Sequence, residues 1–365
     1  LFPWTQSAEA WRITWRYAKQ MGMTTAPQAA ALQLPFPTPP EPGQVLAVAP
    51  GILWVRLALP FRLDHVNIYL IEDGAGYAVV DTGLGDDATK AIWTGLLDGI
   101  LRDRPLTRLI VTHCHPDHVG MAGWLCEQTN VPLLMSQTDY LTALNIRLDP
   151  SALDAEPYRG FYLRHGLAPD VTASLLTLGN RYLRMVTGLP RIFRRLIAGE
   201  VLRIGSREFE VLSGGGHAPE QIMLYCAADG VLLCADQVLV RISPNISVQA
   251  MDPEGDPLGI FLRSLADLKL RIPAETLVLP GHNLPFIGLH PRVDELTAHH
   301  QGRCAAILAA CQDGPLTAAA LVPVVFRRPI DDPHQMGFAF SEALAHINLL
   351  QRQGRLHNDG HGYRA

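Results

Sequence analysis

Four side chains able to ligate a metal fall within six residues: His113, His115, Asp117 and His118, in the stretch LIVTHCHPDHVGMAG. The preceding LTRLIVTH is apolar and β-branched and predicts a buried strand, with a helix following the Pro-Asp turn. Polar groups crowded at the end of a buried strand cost free energy unless something binds them. The His-x-His alternation sends two side chains the same way from an extended backbone. Asp117 and His118 come where the chain turns, so they face a second position a few ångströms off. Imidazole and carboxylate together suit Zn²⁺, Fe or Mn.

Three further pieces sit where apolar runs end: His217 after GGG, Asp236 in LLCADQV, and His282 in the Pro-Gly turn of TLVLPGHN. Each alone reads as an ordinary hydrogen-bonded residue. Together with the first cluster they make seven ligands, enough for two metals sharing one bridging carboxylate.

The rest of the chain must carry those strand ends. VLAVAPGILWVRLAL, HVNIYLIED, GYAVVDTG, EFEVLSGGGH and IMLYCAADGVLLCADQV are strand-like, and DATKAIWTGLLDGILRD is helical. The rhythm predicts a layered α/β domain over residues 44–290. At roughly 150 residues per domain, 365 residues suggest two units. A hydrophobic share of 48% with 18% charged residues supports a sizeable core. The net charge of −5 excludes a basic nucleic-acid coat. Every apolar run stops short of the ~18 residues a membrane-spanning helix needs. Six cysteines without a CxxC pair read as reduced thiols. No stretch near Leu1 has the build of a secretory signal, and a cytoplasmic location is the expectation.

Residues 1–43 read as an amphipathic helix followed by a Pro-rich linker, PFPTPPEPG. The helix carries Trp4, Trp11 and Trp15 on one face and would dock on its own domain or on a second subunit, which makes a homodimer a candidate assembly. Residues 136–200 read as a helical insertion, expected to form a lid. Within 159–207 nine arginines face only Asp170 and Glu200, a local balance of +7 that suits an anionic partner or substrate tail. Residues 291–365 read as helix, short helix, long helix and a β-like tail, the order of a winged-helix unit. Its seven arginines are matched by seven acids, which points to a structural or oligomeric role.

The pattern His113-x-His115-x-Asp117-His118, followed in order by His217, Asp236 and His282, resembles the metallo-β-lactamase superfamily of binuclear metallohydrolases. The resemblance covers about 44–290 and takes in YAVVDTG with Asp81. It implies an α/β fold, an αββα sandwich of two mixed sheets with helices on both outer faces. It also implies that His113, His115 and His217 hold one metal, that Asp117, His118 and His282 hold the other, and that Asp236 bridges them. Asp81 would stand behind the metals and fix a ligand's tautomer. Two zinc ions are the expected cofactors, with iron or manganese as alternatives.

Metals ~3.5–4 Å apart can share a water and lower its pKa towards ~7, making hydroxide available to attack a carbonyl or phosphorus centre. Asp117 is the expected catalytic residue, orienting the nucleophile and passing its proton to the leaving group. Antibiotic-hydrolysing members generally lack the bridging Asp or have Cys there, so Asp236 counts against a β-lactamase. Flavodiiron oxidoreductases have Glu where His115 stands. The set looks most like glyoxalase II, related thioesterases and lactonases, and β-lactamase-like ribonucleases. The expected function is hydrolysis of an ester, thioester or lactone of a small anionic substrate. An endoribonuclease or phosphodiesterase of the same fold is the alternative, and a non-catalytic metal-dependent sensor a third.

Candidate substrate residues are Ser243 and Asn245 on the pocket floor, Tyr158 from the insertion, and Arg191, Arg194 and Arg195 as an anion clamp. The apolar Phe161, Tyr162, Leu175, Leu176 and Leu178 would suit an acyl pocket. Cys114 is expected to point back into the core, and His299, His300 and His334 to be polar-face or interface residues.

Overall fold

Alternation along the strands builds two sheets. In the first, Val45–Ala49 (β1), Ile52–Ala58 (β2), His65–Asp73 (β3) and Gly76–Val80 (β4) pair antiparallel in chain order. Leu106–Ile110 (β5), Leu133–Met135 (β6) and Arg194–Arg195 (β7) continue it in parallel. The second contains Val201–Ile204 (β8), Arg207–Gly214 (β9), Gln221–Cys226 (β10), Val231–Ala235 (β11), Leu277–Pro280 (β12) and Phe286–Ile287 (β13). Its spatial order is β13-β12-β11-β10-β9-β8, antiparallel except for the parallel pair β11 and β12. The computed structural model describes residues 32–149, 151, 156–327, 330 and 332–365. The amphipathic helix expected to carry Trp4, Trp11 and Trp15 lies outside them.

The two faces of each strand enter different cores. On β3, Tyr69 and Ile71 join Trp54, Val80, Phe209, Ile222 and Leu233 in the layer between the sheets. Val66, Ile68 and Leu70 point the other way, to the outer layer with Trp93 and Leu125. That layer carries Asp87–Asp98 (α1), Pro116–Val119 (α2), Ala122–Thr129 (α3) and Gln137–Leu148 (α4). Asp86 caps α1 by accepting the Thr89 N–H at 2.8 Å, worth about 1 kcal/mol.

The outer face of the second sheet packs under Pro257–Arg271 (α8). Its buried Leu258, Phe261, Leu265 and Leu268 recur at three and four residues, giving one apolar stripe. The same core takes in Leu289–Ala310 (α9), Ala318–Phe326 (α10) and Pro333–Arg352 (α11), after which His357–Asn358 (β14) pairs antiparallel with Tyr363–Arg364 (β15). The insertion supplies Glu156–Arg164 (α5), Pro169–Leu175 (α6) and Leu178–Met185 (α7). α5 and α6 do not stand apart: Phe161, Leu167 and Leu175 are buried in the core shared with α9–α11. Gly337 on α11 lets Leu175 close, since a Cβ there would lie 2.3 Å from it.

Two sequence expectations change here. Phe161, Leu175 and Leu176 are buried, Phe161 and Leu175 in packing against the C-terminal helices, so none is free to line an acyl pocket. The arginine run is also divided by the fold. Arg203 and Arg207 belong to β8 and β9 of the second sheet and pair with Glu208 and Asp229. Among the described residues, no helix is long and apolar enough to cross a membrane.

Candidate metal centre

The chemistry-bearing side chains all leave the strands at one end of the sandwich. Asp81 follows β4, His113 to His118 follow β5, His217 lies between β9 and β10, Asp236 follows β11, and His282 follows β12. Two glycines make the close approach possible. Gly216, at φ +101°, passes so near α8 that a Cβ would lie 2.4 Å from the Pro257 carbonyl. At Gly281 a Cβ would stand 2.3 Å from Asp236 Oδ1 and 2.9 Å from the His118 ring.

The two sheets are tied at this end by a buried Asn67. Its amide donates to the Pro280 and Asn283 carbonyls at 3.0 and 3.2 Å, and its oxygen accepts the Trp54 indole N–H at 2.9 Å. His65 holds the next loop twice: its carbonyl accepts the His282 Nδ1–H at 2.7 Å, and its Nε2 accepts the Asn283 N–H at 2.8 Å.

Proton bookkeeping shows where the ring nitrogens point. Asp81 is held at φ +63° and accepts the Thr112 N–H, the Thr112 hydroxyl and the His118 Nδ1–H at 2.8, 2.9 and 2.8 Å. Since the Thr112 hydroxyl is spent on Asp81, it accepts from His113 Nδ1 at 3.0 Å, leaving His113 Nε2 as a lone pair. His217 donates its Nδ1–H to the Asn245 carbonyl at 2.9 Å. His113 Nε2 and His217 Nε2 then converge on His115 Nδ1 at 2.9 and 3.0 Å. One proton on His115 serves only one of them well; a cation among the three serves all.

The second group forms beside it. His282 Nε2 lies 3.4 Å from Asp117 Oδ2 and 3.2 Å from Asp236 Oδ2, while His217 Nε2 lies 3.3 Å from the same Asp236 oxygen. His118 Nε2 and Asp236 Oδ1 are buried with no hydrogen-bond partner, 3.6 Å apart. Orphaned polar atoms of this kind are costly unless a ligand meets them. His113-His115-His217, His113-His118-Asp236 and Asp117-His118-His282 are each close enough to hold one ion. The residues fit metals.

Electrostatics separates the two halves. Burial, reinforced by the neighbouring histidines, pushes His113 well below its ordinary pKa and His115 down to about 3. Burial also opposes charge on His282, yet Asp236 and Asp117 outweigh it and raise the ring to about 10. His118 is raised in the same way by Asp236, Asp81 and Asp117 against burial. Against the same burial, His118 and His282 hold Asp117 and Asp236 below the usual carboxylate range. The carboxylate half is thus built for positive charge.

The structure brings Asn245 to the cluster through its carbonyl, whereas Ser243 turns to His300, with its Oγ 3.2 Å from Nε2. Tyr158, Arg191, Arg194 and Arg195 make no hydrogen bond or ion pair with the cluster among the described residues. Arg194 and Arg195 do sit on β7, whose partner Leu134 is level with Ile110 on β5, two strand spacings or roughly 10 Å away. Cys114 is buried in the outer core, facing away from the ligands. His300, expected on a polar face or at an interface, is fully buried within the chain against His346.

Sequence reasoning missed Asp139 and Tyr182, which pin the peptide between His113 and His115. Asp139 accepts the Cys114 N–H at 2.9 Å and the Glu220 N–H at 2.8 Å, and Tyr182 donates to the Cys114 carbonyl at 2.8 Å. Ser136-x-x-Asp139 reads locally as a helix cap, which it also is, and that hides its second task.

Residues 61–282 match the model of the metallo-beta-lactamase superfamily. The chain belongs to that superfamily. Residues 304–362 match a metallo-beta-lactamase-like C-terminal domain as well. Among solved structures, a beta-lactamase domain protein from Burkholderia ambifaria is 40% identical, with TM-score 0.82 over 91% of this chain and 96% of that one. A metallo-beta-lactamase family protein from Thermus thermophilus is 30% identical, with TM-score 0.74 over 87% and 99%. A probable metallo-hydrolase of Bacillus subtilis is 22% identical over 83% of this chain and 92% of its own length. A hydroxyacylglutathione hydrolase of Pseudomonas entomophila is 28% identical over 69% and 95%. This superfamily member is a metallo-hydrolase, and its αββα architecture is the superfamily's.

Proposed function

We propose that the cluster holds two divalent ions, zinc in the first instance, and that the protein hydrolyses an ester, thioester or lactone of a small anionic substrate. His113, His115 and His217 would hold one ion, Asp117, His118 and His282 the other, with Asp236 shared. The observation that carries this reading is the single Asp236 oxygen lying 3.3 Å from His217 and 3.2 Å from His282, one residue of each group. When bound, the ions supply a water acidified towards neutral pH and a polarised electrophile oxygen. Asp117 has the most exposed side chain of the ion-paired ligands, 21% against 0–9% for His118, His217, Asp236 and His282. It is the carboxylate free to orient the attacking water, take its proton and deliver it to the leaving group.

The hydroxyacylglutathione hydrolase relative supports a thioester. Arg191, Arg194 and Arg195 are exposed and without an acidic partner among the described residues, which supports an acidic substrate tail. Metal-reconstituted protein should turn over an acyl-coenzyme A thioester, and Asp117→Asn should lower kcat by roughly 10²–10⁴. Cleavage of single-stranded RNA with the thioester untouched would replace this reading with a nuclease. Metal binding with neither reaction would favour a sensor.

A further inference from the structure

The loop that accepts the His217 proton is held by the C-terminal helices. Asn245, whose carbonyl takes the His217 Nδ1–H at 2.9 Å, donates its side-chain amide to Glu342 Oε2 at 3.0 Å and to the Phe338 carbonyl at 3.4 Å. The other Glu342 oxygen accepts from Arg303. Arg303 in turn lies over the Phe326 ring at 4.7 Å. Helices α9, α10 and α11 therefore each contribute one of Arg303, Phe326 and Glu342. Nearby, the Val248 N–H donates to the Ser341 carbonyl at 3.1 Å, and Ser243 reaches His300.

We infer that the C-terminal unit is a working part of the metal centre: Arg303 and Glu342, acting through Asn245, set the orientation and tautomer of His217. The inference rests on the two-metal reading above. Glu342 is 5% exposed, and a buried ion pair is a poor source of stability compared with an apolar pair of similar volume. What it supplies is a carboxylate fixed in one place, both oxygens used, against which Asn245 cannot rotate. A peptide carbonyl anchored in that way keeps the His217 Nδ1–H occupied and its Nε2 directed at His115 and Asp236. Such outer partners of a metal-binding histidine typically govern 10–100-fold of metal affinity. Arg303, Glu342 and Asn245 are positioning residues; none of them touches the reacting atoms.

The test uses the full-length protein and the metal alone. Glu342→Gln can satisfy Asn245 or Arg303 but not both, and Asn245→Ala keeps the carbonyl while releasing its anchor. Zinc affinities of both sites are read by chelator competition, the cobalt(II)-loaded protein by its visible bands, and folding by thermal melting. Each variant is expected to weaken one of the two zinc ions by roughly 10–100-fold and to shift the cobalt bands. The other zinc ion should keep its affinity. The double variant should lose no more than the larger single loss, because both act through one tether. Unchanged affinities and bands in a wild type that binds two ions would overturn the inference, as would losses that simply multiply or that strike both ions alongside a lower melting temperature. If the wild type takes up fewer than two ions, the two-metal reading fails first and this inference with it.

Discussion

Asp81 accepts the Nδ1–H of His118 at 2.8 Å inside the core, which turns the partnerless His118 Nε2 towards Asp236. The same carboxylate takes both polar hydrogens of Thr112. Its backbone sits at φ +63°, a region Asn tolerates, so Asp81→Asn tests the charge rather than the turn. That variant leaves one donor facing an amide N–H₂. A stability loss of about 1–3 kcal/mol is expected from thermal melting, together with roughly 10–100-fold weaker zinc at the Asp117-His118-His282 group by chelator competition.

Stripping the metals should expose the strain of the cluster itself. Asp117 then faces only His118 and His282, Asp236 faces those two and His217, and Asp236 Oδ1 keeps no hydrogen-bond partner. With free metal at a thousandfold over Kd, binding contributes roughly 4 kcal/mol per site. Chelation should accordingly lower the melting temperature by roughly 5–15 °C, and zinc should restore it. An unchanged melt would mean that the residues hold no ion tightly.

Acid should destabilise the C-terminal helices through two buried histidines. His300 donates to His346 at 3.1 Å, and His346 donates to the Glu342 carbonyl at 2.7 Å. Burial, then the surrounding positive charge, lowers His300 to about 2, and burial lowers His346 to about 3. Both folded pKa values lie below the ordinary 6.5, so the unfolded chain binds more protons between about 6.5 and about 3. Stability is therefore full above pH 6.5 and falls with pH through that window, at up to about 1.4 kcal/mol per pH unit for each histidine. Urea midpoints at pH 7.5 and 5 should differ less in His300→Gln/His346→Gln than in the wild type.

Asp139 joins the His113–His115 turn to the loop carrying His217. Asp139→Asn can accept from Cys114 or Glu220 but presents N–H₂ to the other, a cost of about 1–3 kcal/mol. Tyr182→Phe removes only the bond to the Cys114 carbonyl, worth about 0.5–1.5 kcal/mol. The larger melting shift and the larger fall in kcat should belong to Asp139→Asn.

Reversing Arg194 and Arg195 to Glu should raise KM for an anionic thioester roughly 2- to 10-fold and leave kcat unchanged, since exposed charges act weakly. A neutral ester should not respond. Equal effects on both substrates would remove these arginines from substrate recognition.

The cluster from His113 to His118 was legible because its chemistry is local. His113 and His115 lie in extended backbone just after β5, so alternation settles that they share a side, and Asp117 and His118 follow at once in the first turn of α2. His217, Asp236 and His282 announced themselves as polar residues ending apolar runs, a signal that strand periodicity provides. Strand composition by itself gave only a layered α/β domain, because a strand buried on both faces carries no alternation to say which sheet it joins. The two-sheet sandwich came from the family resemblance.

Apart from Asp81, which the family resemblance pointed to, only the tertiary structure decided what stands behind the candidate ligands. Asp139 meets Cys114 across 25 positions, and Asn245 meets Glu342 across 97. Such pairs leave no period in a sequence, since a hydrogen bond between distant segments requires only one donor and one acceptor in place. The arginine run misled for the same reason. Residues adjacent along the chain were assigned to opposite sheets, and a charge count follows the chain while an electric field follows space.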